Sequence, residues 1–466
     1  MMSKSVVTSC LLAGLMTLTG LTGDLYATTP EGAHGRDAPG RLRLADVAPI
    51  PSFSRQTGLA CSACHTSFPQ LNAFGRNFKL NGYTLTAKET IAEQAEGEAP
   101  LRLTAIPGLS AMIQASYTTT NEAVPGTQNG DVDLPQQFSF FYGGAIAPKV
   151  GAFVQVTYAA EDGSLGFDNA DVRFATHARV AARDMVLGFT LNNNPTVQDV
   201  WNTLPAWGYP FASAAVAPAP AAASLIDGTL AQQVAGLGTY AFWNNMFYGE
   251  LSLYRSAPQG AANPPDESSE LTTKGVAPYW RLTFERQWGP HSVMLGTYGL
   301  HARLFPTGVS GSTDEYTDIG IDGQYQRRLG PGSLTARTTW IHESQNLDAS
   351  FEAGAAANPS NTLDTYRLNG TFYLDRGIGF TLGFFTISGD ADTGLYQPGD
   401  VDGSRTGEPD SNGFLGQLDF GPWLNTRFAL QYTLYNKFNG AGTDYDGSGR
   451  NASDNNTLYL LGWLVF

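Results

Sequence analysis

Five consecutive residues carry the most specific chemistry in the chain: Cys61, Ser62, Ala63, Cys64 and His65. Two thiols separated by two residues can reach the two vinyl groups of one porphyrin. The next residue then places an imidazole on the iron. In an exported protein a C-x-x-C-H run signals covalent attachment of a c-type haem. Cys61, Cys64 and His65 are therefore the candidate cofactor-binding residues, His65 is the candidate metal ligand, and one haem c is the expected cofactor. Two cysteines at this spacing also suit other chemistries. A zinc site needs four ligands, and no second C-x-x-C exists to complete them. A thioredoxin-type redox pair needs a surrounding βαβ pattern, which is absent.

The second axial ligand is left open. His34, His177, His291, His301 and His342 remain, with Met112, Met185, Met246 and Met294. Met112, in LSAMIQ, follows the haem segment most closely and is a weak candidate. The choice matters because axial ligands tune a haem potential over roughly 0.8 V. No catalytic nucleophile or phosphate-binding loop stands out, so no catalytic residue is assigned. Arg173, Arg281 and Arg367 read as polar residues of an interior.

The elements that hold these residues begin with an export signal. Residues 1–27 have a positive start at Lys4, an apolar or small run from Val6 to Leu21, and a plausible cleavage site ending at Ala27. Cys10 leaves with that segment. Loss of Lys4 and Asp24 takes 27 basic and 42 acidic residues to 26 and 41, so the balance stays at −15. Such an acidic exported chain is a poor nucleic-acid binder. Residues 28–50 read as a flexible segment and 51–107 as a small haem segment, mostly helical or irregular. A segment of that size is marginal alone and needs a staple and a wall.

The remainder, 108–466, supplies the wall. Over the whole chain only 15% of residues are charged, well below the usual quarter, and glycine is abundant at 53. No mature stretch reaches 18 apolar residues, which rules out a bundle of membrane helices. Instead, segments of about ten to fourteen residues alternate apolar and polar side chains. Examples are 108–120, 138–148, 151–161, 170–180 and 184–192. Tyr366, Leu368, Phe372 and Leu374 fall on one face, and Arg367, Asn369 and Thr371 on the other. Ile319 and Ile321 alternate with Asp318, Asp322, Gln324 and Gln326. So many polar inward positions suit a wet lumen better than a sandwich core. Tight turns at 148–151, 289–291, 329–332, 375–377 and 421–423 alternate with long connections at 194–231, 257–275, 346–361, 389–411 and 437–455. The chain closes on an aromatic-rich strand ending at Phe466. The expected fold is all-β: a transmembrane antiparallel β-barrel of about sixteen strands in the bacterial outer membrane. The haem segment plugs its lumen, the long loops are extracellular and the termini periplasmic. The loop at 194–231, with Trp201, Pro205, Trp207, Tyr209 and Phe211, is a candidate to fold inward onto the haem. Asp390, Asp392, Asp400, Asp402, Glu408, Asp410, Asp444, Asp446 and Asp454 fall in two predicted outer loops, where they could concentrate cations.

The stretches PSFSRQTGLACSACHTSFPQLNAFGRNFKLNGYTL (51–85) and LNNNPTVQDVWNTLPAWGYPF (191–211), in a cytochrome-then-barrel order, resemble the fused monohaem cytochrome–porins of iron(II)-oxidising bacteria. The resemblance covers essentially the whole mature chain. It implies that Cys61, Cys64 and His65 hold the haem. It also implies an oxidoreductase that takes electrons from extracellular Fe(II) and passes them to a periplasmic c-type cytochrome or other soluble carrier. Two other readings are a haem-bearing diffusion porin and a conduit for a different extracellular donor or acceptor.

Overall fold

The computed structural model describes residues 51–84, 90–93, 101–104, 108–159, 163–258, 264–375, 377–423 and 425–466. The expected signal peptide, the segment 28–50 and His34 lie outside the described residues. Sixteen antiparallel strands close into one barrel, each paired with its sequence neighbour. They are β1 Leu109–Thr120, β2 Asp131–Ala147, β3 Val150–Ala159, β4 Ser164–Val180, β5 Arg183–Asn192, β6 Val234–Trp243, β7 Phe247–Ser256 and β8 Ala277–Trp288. The second half comprises β9 His291–Thr307, β10 Asp314–Leu329, β11 Gly332–Asn346, β12 Ser360–Leu374, β13 Ile378–Gly389, β14 Ser411–Phe420, β15 Thr426–Lys437 and β16 Thr457–Val465. The last strand pairs with the first, Trp463 opposite Gln114, so no edge is left open. A four-residue strand, Glu270–Thr273, joins β9 at one rim while β7 pairs directly with β8.

The alternation of the sequence becomes inside and outside. Leu237, Leu282, Leu295 and Ile321 are exposed on the outer face at 62, 59, 62 and 55%. Asp318, Asp322, Gln324 and Gln326, on the other face of β10, are buried in the lumen. An apolar belt outside and polar groups inside is what a bilayer demands of a closed sheet. Trp288, Trp423 and Phe466 stand exposed at one rim, where an aromatic girdle meets the membrane surface. That rim carries the tight turns and both ends of the barrel chain. At the β4–β5 turn Ala181 and Ala182 take φ of 51° and 60°, as a two-residue type I′ hairpin turn requires. The opposite rim carries the long connections. The largest, between Asn192 and Val234, folds back into the lumen.

Candidate functional site

Two short helices frame the C-x-x-C-H run: α1, Pro51–Thr57, and α2, Ala73–Leu80. Between them His65–Ser67 and Gln70–Leu71 form a small antiparallel ribbon. Asn72 fixes the second helix to the motif. Its side chain caps α2 by accepting from the Gly75 N–H at 3.0 Å and donates to the Ala63 carbonyl at 2.9 Å. Its backbone N–H donates to the Cys64 carbonyl at 2.8 Å. Gly75 lets the helix come this close, since a Cβ there would stand 2.3 Å from the Cys64 oxygen.

The segment is lodged inside the barrel. Arg76 makes a bidentate pair with Glu285 of β8, at 2.5 and 3.2 Å, both side chains 2% exposed. The same guanidinium reaches Gln326 of β10 at 2.8 Å. The Leu80 carbonyl accepts from the Tyr240 hydroxyl at 2.7 Å, and the Tyr83 hydroxyl donates to Asp171 at 2.6 Å. The Thr66 carbonyl accepts from Ser333, in the second position of β11 and so close to the turn rim. The segment is therefore a plug, as the sequence suggests, but one seated at the turn end of the lumen. From Ser333 to the loop end of β11 at Asn346 the strand climbs thirteen residues, roughly 30 Å along the axis. The C-x-x-C-H run therefore lies much nearer the turn rim than the loop rim.

The inward loop forms the opposite wall. Arg281 of β8 holds Asp199 at 2.8 Å and Asp322 at 2.6 Å, all three buried. Asp199 in turn accepts from the N–H groups of Trp201, Thr203 and Leu204. Deeper along the loop, Leu225 and Ile226 donate their N–H groups to Glu343 and Asp318, and Arg367 binds Asp227. Plug and loop are tied directly. The Lys79 ammonium donates to the Val197 and Asp199 carbonyls at 2.7 and 2.8 Å and lies 4.1 Å above the Trp207 ring. Trp201 Nε1 shares Glu285 with Arg76.

Between plug, loop and barrel lies a mostly apolar cavity. Cys61, Cys64 and His65 all line it. Phe53, Phe78, Tyr83, Phe153 and Trp207 supply its aromatic walls. The two cysteines are free thiols. Burial pushes the Cys64 thiol up to about 11, with Cys61 adding to the effect. His65 Nδ1–H donates to the Pro69 carbonyl at 3.0 Å, which leaves Nε2 as the ligating nitrogen. Burial holds its pKa down at about 4, against the opposing pull of the Pro69 and Gln70 carbonyls, so the ring is neutral and ready to bind iron at pH 7. Burial also lowers Lys79 to about 7, with Arg173 adding to the effect, while Asp171, Asp199 and Glu250 oppose it. Two thiols, a free imidazole nitrogen and apolar walls in one enclosure fit a covalently held haem.

The other sequence candidates are scattered. Met112 is fully buried in an apolar cluster with Phe78, Tyr83 and Phe153 but does not line the cavity. Its sulfur accepts from Gln114 Nε2 at 3.5 Å. Met185, Met246, Met294, His177, His291, His301 and His342 belong to the barrel and are absent from the cavity walls. Arg173, Arg281 and Arg367 are lumen residues, each paired with a carboxylate. The acids of the long loops mostly bind loop backbones, their own and those of neighbouring loops. Asp392 accepts four backbone N–H groups, Asp446 accepts three, and Asp410 with Glu408 holds Lys437. Sequence reasoning gave no role to Arg76, Lys79 or Phe153. The i, i+3 spacing of Arg76 and Lys79 on one short helix was the available signal.

No family model matches the chain, and no curated protein matches it. Among solved structures it is similar to an anion-selective porin from Comamonas acidovorans, with 13% identity, a TM-score of 0.44, and coverage of 77% of this chain and 98% of that one. It is also similar to the outer membrane channel DcaP of Acinetobacter baumannii, with 11% identity, a TM-score of 0.45 and coverage of 77% and 96%. A third is OmpT of Vibrio cholerae, with 10% identity, a TM-score of 0.42 and coverage of 77% and 97%.

Proposed function

We propose that this chain is an outer-membrane barrel that holds one c-type haem in its lumen and serves electron transfer across the membrane. The observation that carries the reading is the convergence of Cys61, Cys64 and His65 on one apolar cavity inside the barrel. A haem bound there supplies one-electron chemistry: with Fe(II) as donor, Fe²⁺ leaves as Fe³⁺ and no bond is made or broken. The chain's own residues attach, orient and enclose. Cys61 and Cys64 anchor, His65 is oriented by the Pro69 carbonyl, and Phe53, Phe78, Phe153 and Trp207 keep water away. The resemblance of 51–85 to the cytochrome–porins makes extracellular Fe(II) the proposed donor and a periplasmic carrier the acceptor. The acceptor side fits the geometry well, because the site opens toward the turn rim. A second cavity there is lined by Cys61, His65, Arg328, Asp375 and Trp423.

A second reading, a porin that passes small solutes beside a structural haem, is favoured by the sixteen-strand circumference and the polar lumen. Two measurements on the detergent-purified protein separate the readings. Stopped-flow mixing of the oxidised protein with Fe(II) is expected to give the reduced haem spectrum. A haem that stays oxidised under excess Fe(II) counts against Fe(II) as the donor. Planar-bilayer recording is expected to show little conductance, and a steady porin-like conductance supports the second reading.

A further inference from the structure

The outer wall of the barrel carries a cluster of its own at the turn rim, where β8, β9 and β10 run side by side. Leu282 of β8, Leu295 of β9 and Ile321 of β10 face the bilayer, exposed at 59, 62 and 55%, while Glu285 and Gln326 face the lumen. Alternation then puts Arg286 and Trp288 of β8, His291 of β9, and Tyr325 and Arg327 of β10 on that same outer face, at its turn end. The register makes them neighbours. Trp288 lies opposite His291, and His291 opposite Arg327. Arg286 lies opposite Val293, and Val293 opposite Tyr325. The Trp288 and His291 rings stack at 5.3 Å with 8° between their planes, and His291 Nδ1 shares a hydrogen bond with the Tyr325 hydroxyl at 2.8 Å. Both guanidiniums stand exposed beside this ordered group.

We propose that this cluster is a site for the anionic headgroup of a phospholipid in the turn-side leaflet, with Arg286 and Arg327 taking its phosphate. A guanidinium meets a phosphate with paired N–H donors, a fit that an ammonium lacks. The two arginines are two strand spacings apart, roughly 10 Å, and His291 lies on the strand between them. The occupant is a lipid because the cluster continues the apolar belt. Acyl chains lie along Leu282, Leu295 and Ile321, and the headgroup then arrives at the arginines. Trp288, 47% exposed, takes the place of an interfacial indole at the headgroup level. In a chain of net charge −15 this wall is a basic exception, and its charge complements an anionic leaflet. The site belongs to the outer face and is independent of the haem.

Native mass spectrometry of the detergent-purified full-length protein provides the test, with dioleoyl phosphatidylglycerol and dioleoyl phosphatidylcholine as probes. The parent is expected to retain phosphatidylglycerol at about tenfold lower lipid concentration than phosphatidylcholine. Equal retention of the two lipids overturns the proposal. Arg286→Gln combined with Arg327→Gln changes only exposed side chains and is expected to abolish the preference in a folded barrel. Lys149→Gln combined with Arg183→Gln, exposed basic residues of the same rim on another wall, is expected to keep it. A preference that survives in the first variant, or falls equally in the second, would mean that rim charge alone attracts lipid and would overturn the site. Inorganic phosphate in excess is expected to leave the bound lipid in place. Displacement by it would make the cluster a site for free phosphate and overturn the lipid assignment.

Discussion

At the scale of single residues, the C-x-x-C-H motif was legible because it is local. Cys61, Cys64 and His65 are neighbours in sequence, and their spacing is the chemistry. Their support was only partly legible: the sequence pointed to the inward loop with Trp207, but not to Phe153, Asp199 or Asn202, which come from far along the chain. Phe153 belongs to β3, and Asp199, Asn202 and Trp207 to the inward loop. Gly75 is the tightest local constraint. Gly75→Ala would push α2 off the Cys64 carbonyl, at a cost of about 1–3 kcal/mol from overpacking. Lower covalent haem content per folded barrel is expected, read as haem absorbance against protein. A variant with both Cys61→Ala and Cys64→Ala should fold as a barrel yet carry no covalent haem on a denaturing gel. In that variant His65 gives a pH signature. Its folded pKa of about 4 lies below the ordinary 6.5. As pH falls from 6.5 toward 4 the undocked chain takes the proton first, so docking of the plug weakens through that window and is unaffected above it. Protease sensitivity of residues 51–84 against pH checks this.

At the scale of elements, strand alternation was the strongest signal, and β10 and β12 kept the faces their sequences predict. The sequence reading began the second strand at 138, whereas β2 starts at Asp131. The missing residues, DVDLPQQ, do carry outward hydrophobes at Val132 and Leu134, but Pro135 and the flanking aspartates read as loop, and pairing of 131–133 with β1 makes them strand. At the β4–β5 turn, Ala182→Gly relieves a left-handed φ and should stabilise the barrel by about 1 kcal/mol, seen as a higher unfolding midpoint. The plug's anchor is the Arg76–Glu285 pair. Arg76→Ala strands a buried carboxylate and should weaken plug docking by about 3–5 kcal/mol. Increased bilayer conductance with the barrel still folded is the expected readout. Unchanged conductance would mean that the inward loop alone closes the lumen.

At the scale of the whole molecule, the sequence foretold a barrel, a plug and an inward loop but not where along the axis the plug sits. That position depends on long-range pairs such as Thr66 with Ser333 and Gln70 with Thr371. It makes the molecule asymmetric, with the cavity of Cys61, Cys64 and His65 near the turn rim and a packed, charge-paired stretch of lumen between it and the loops. The loop carboxylates are largely consumed in holding loop backbones. Neutralising the more exposed Asp390 and Asp400 should therefore leave the rate and salt dependence of reduction by Fe(II) within about twofold of the parent. A strong fall in rate would instead show that those loops gather the donor.

The central claim is that a porphyrin is covalently fixed inside this membrane barrel, and haem quantitation on the purified outer-membrane protein tests it most directly. The pyridine haemochrome assay should give one c-type haem per chain, retained after denaturation and extraction. A folded, membrane-embedded barrel that yields no haem, or releases it on acid extraction, would contradict the account.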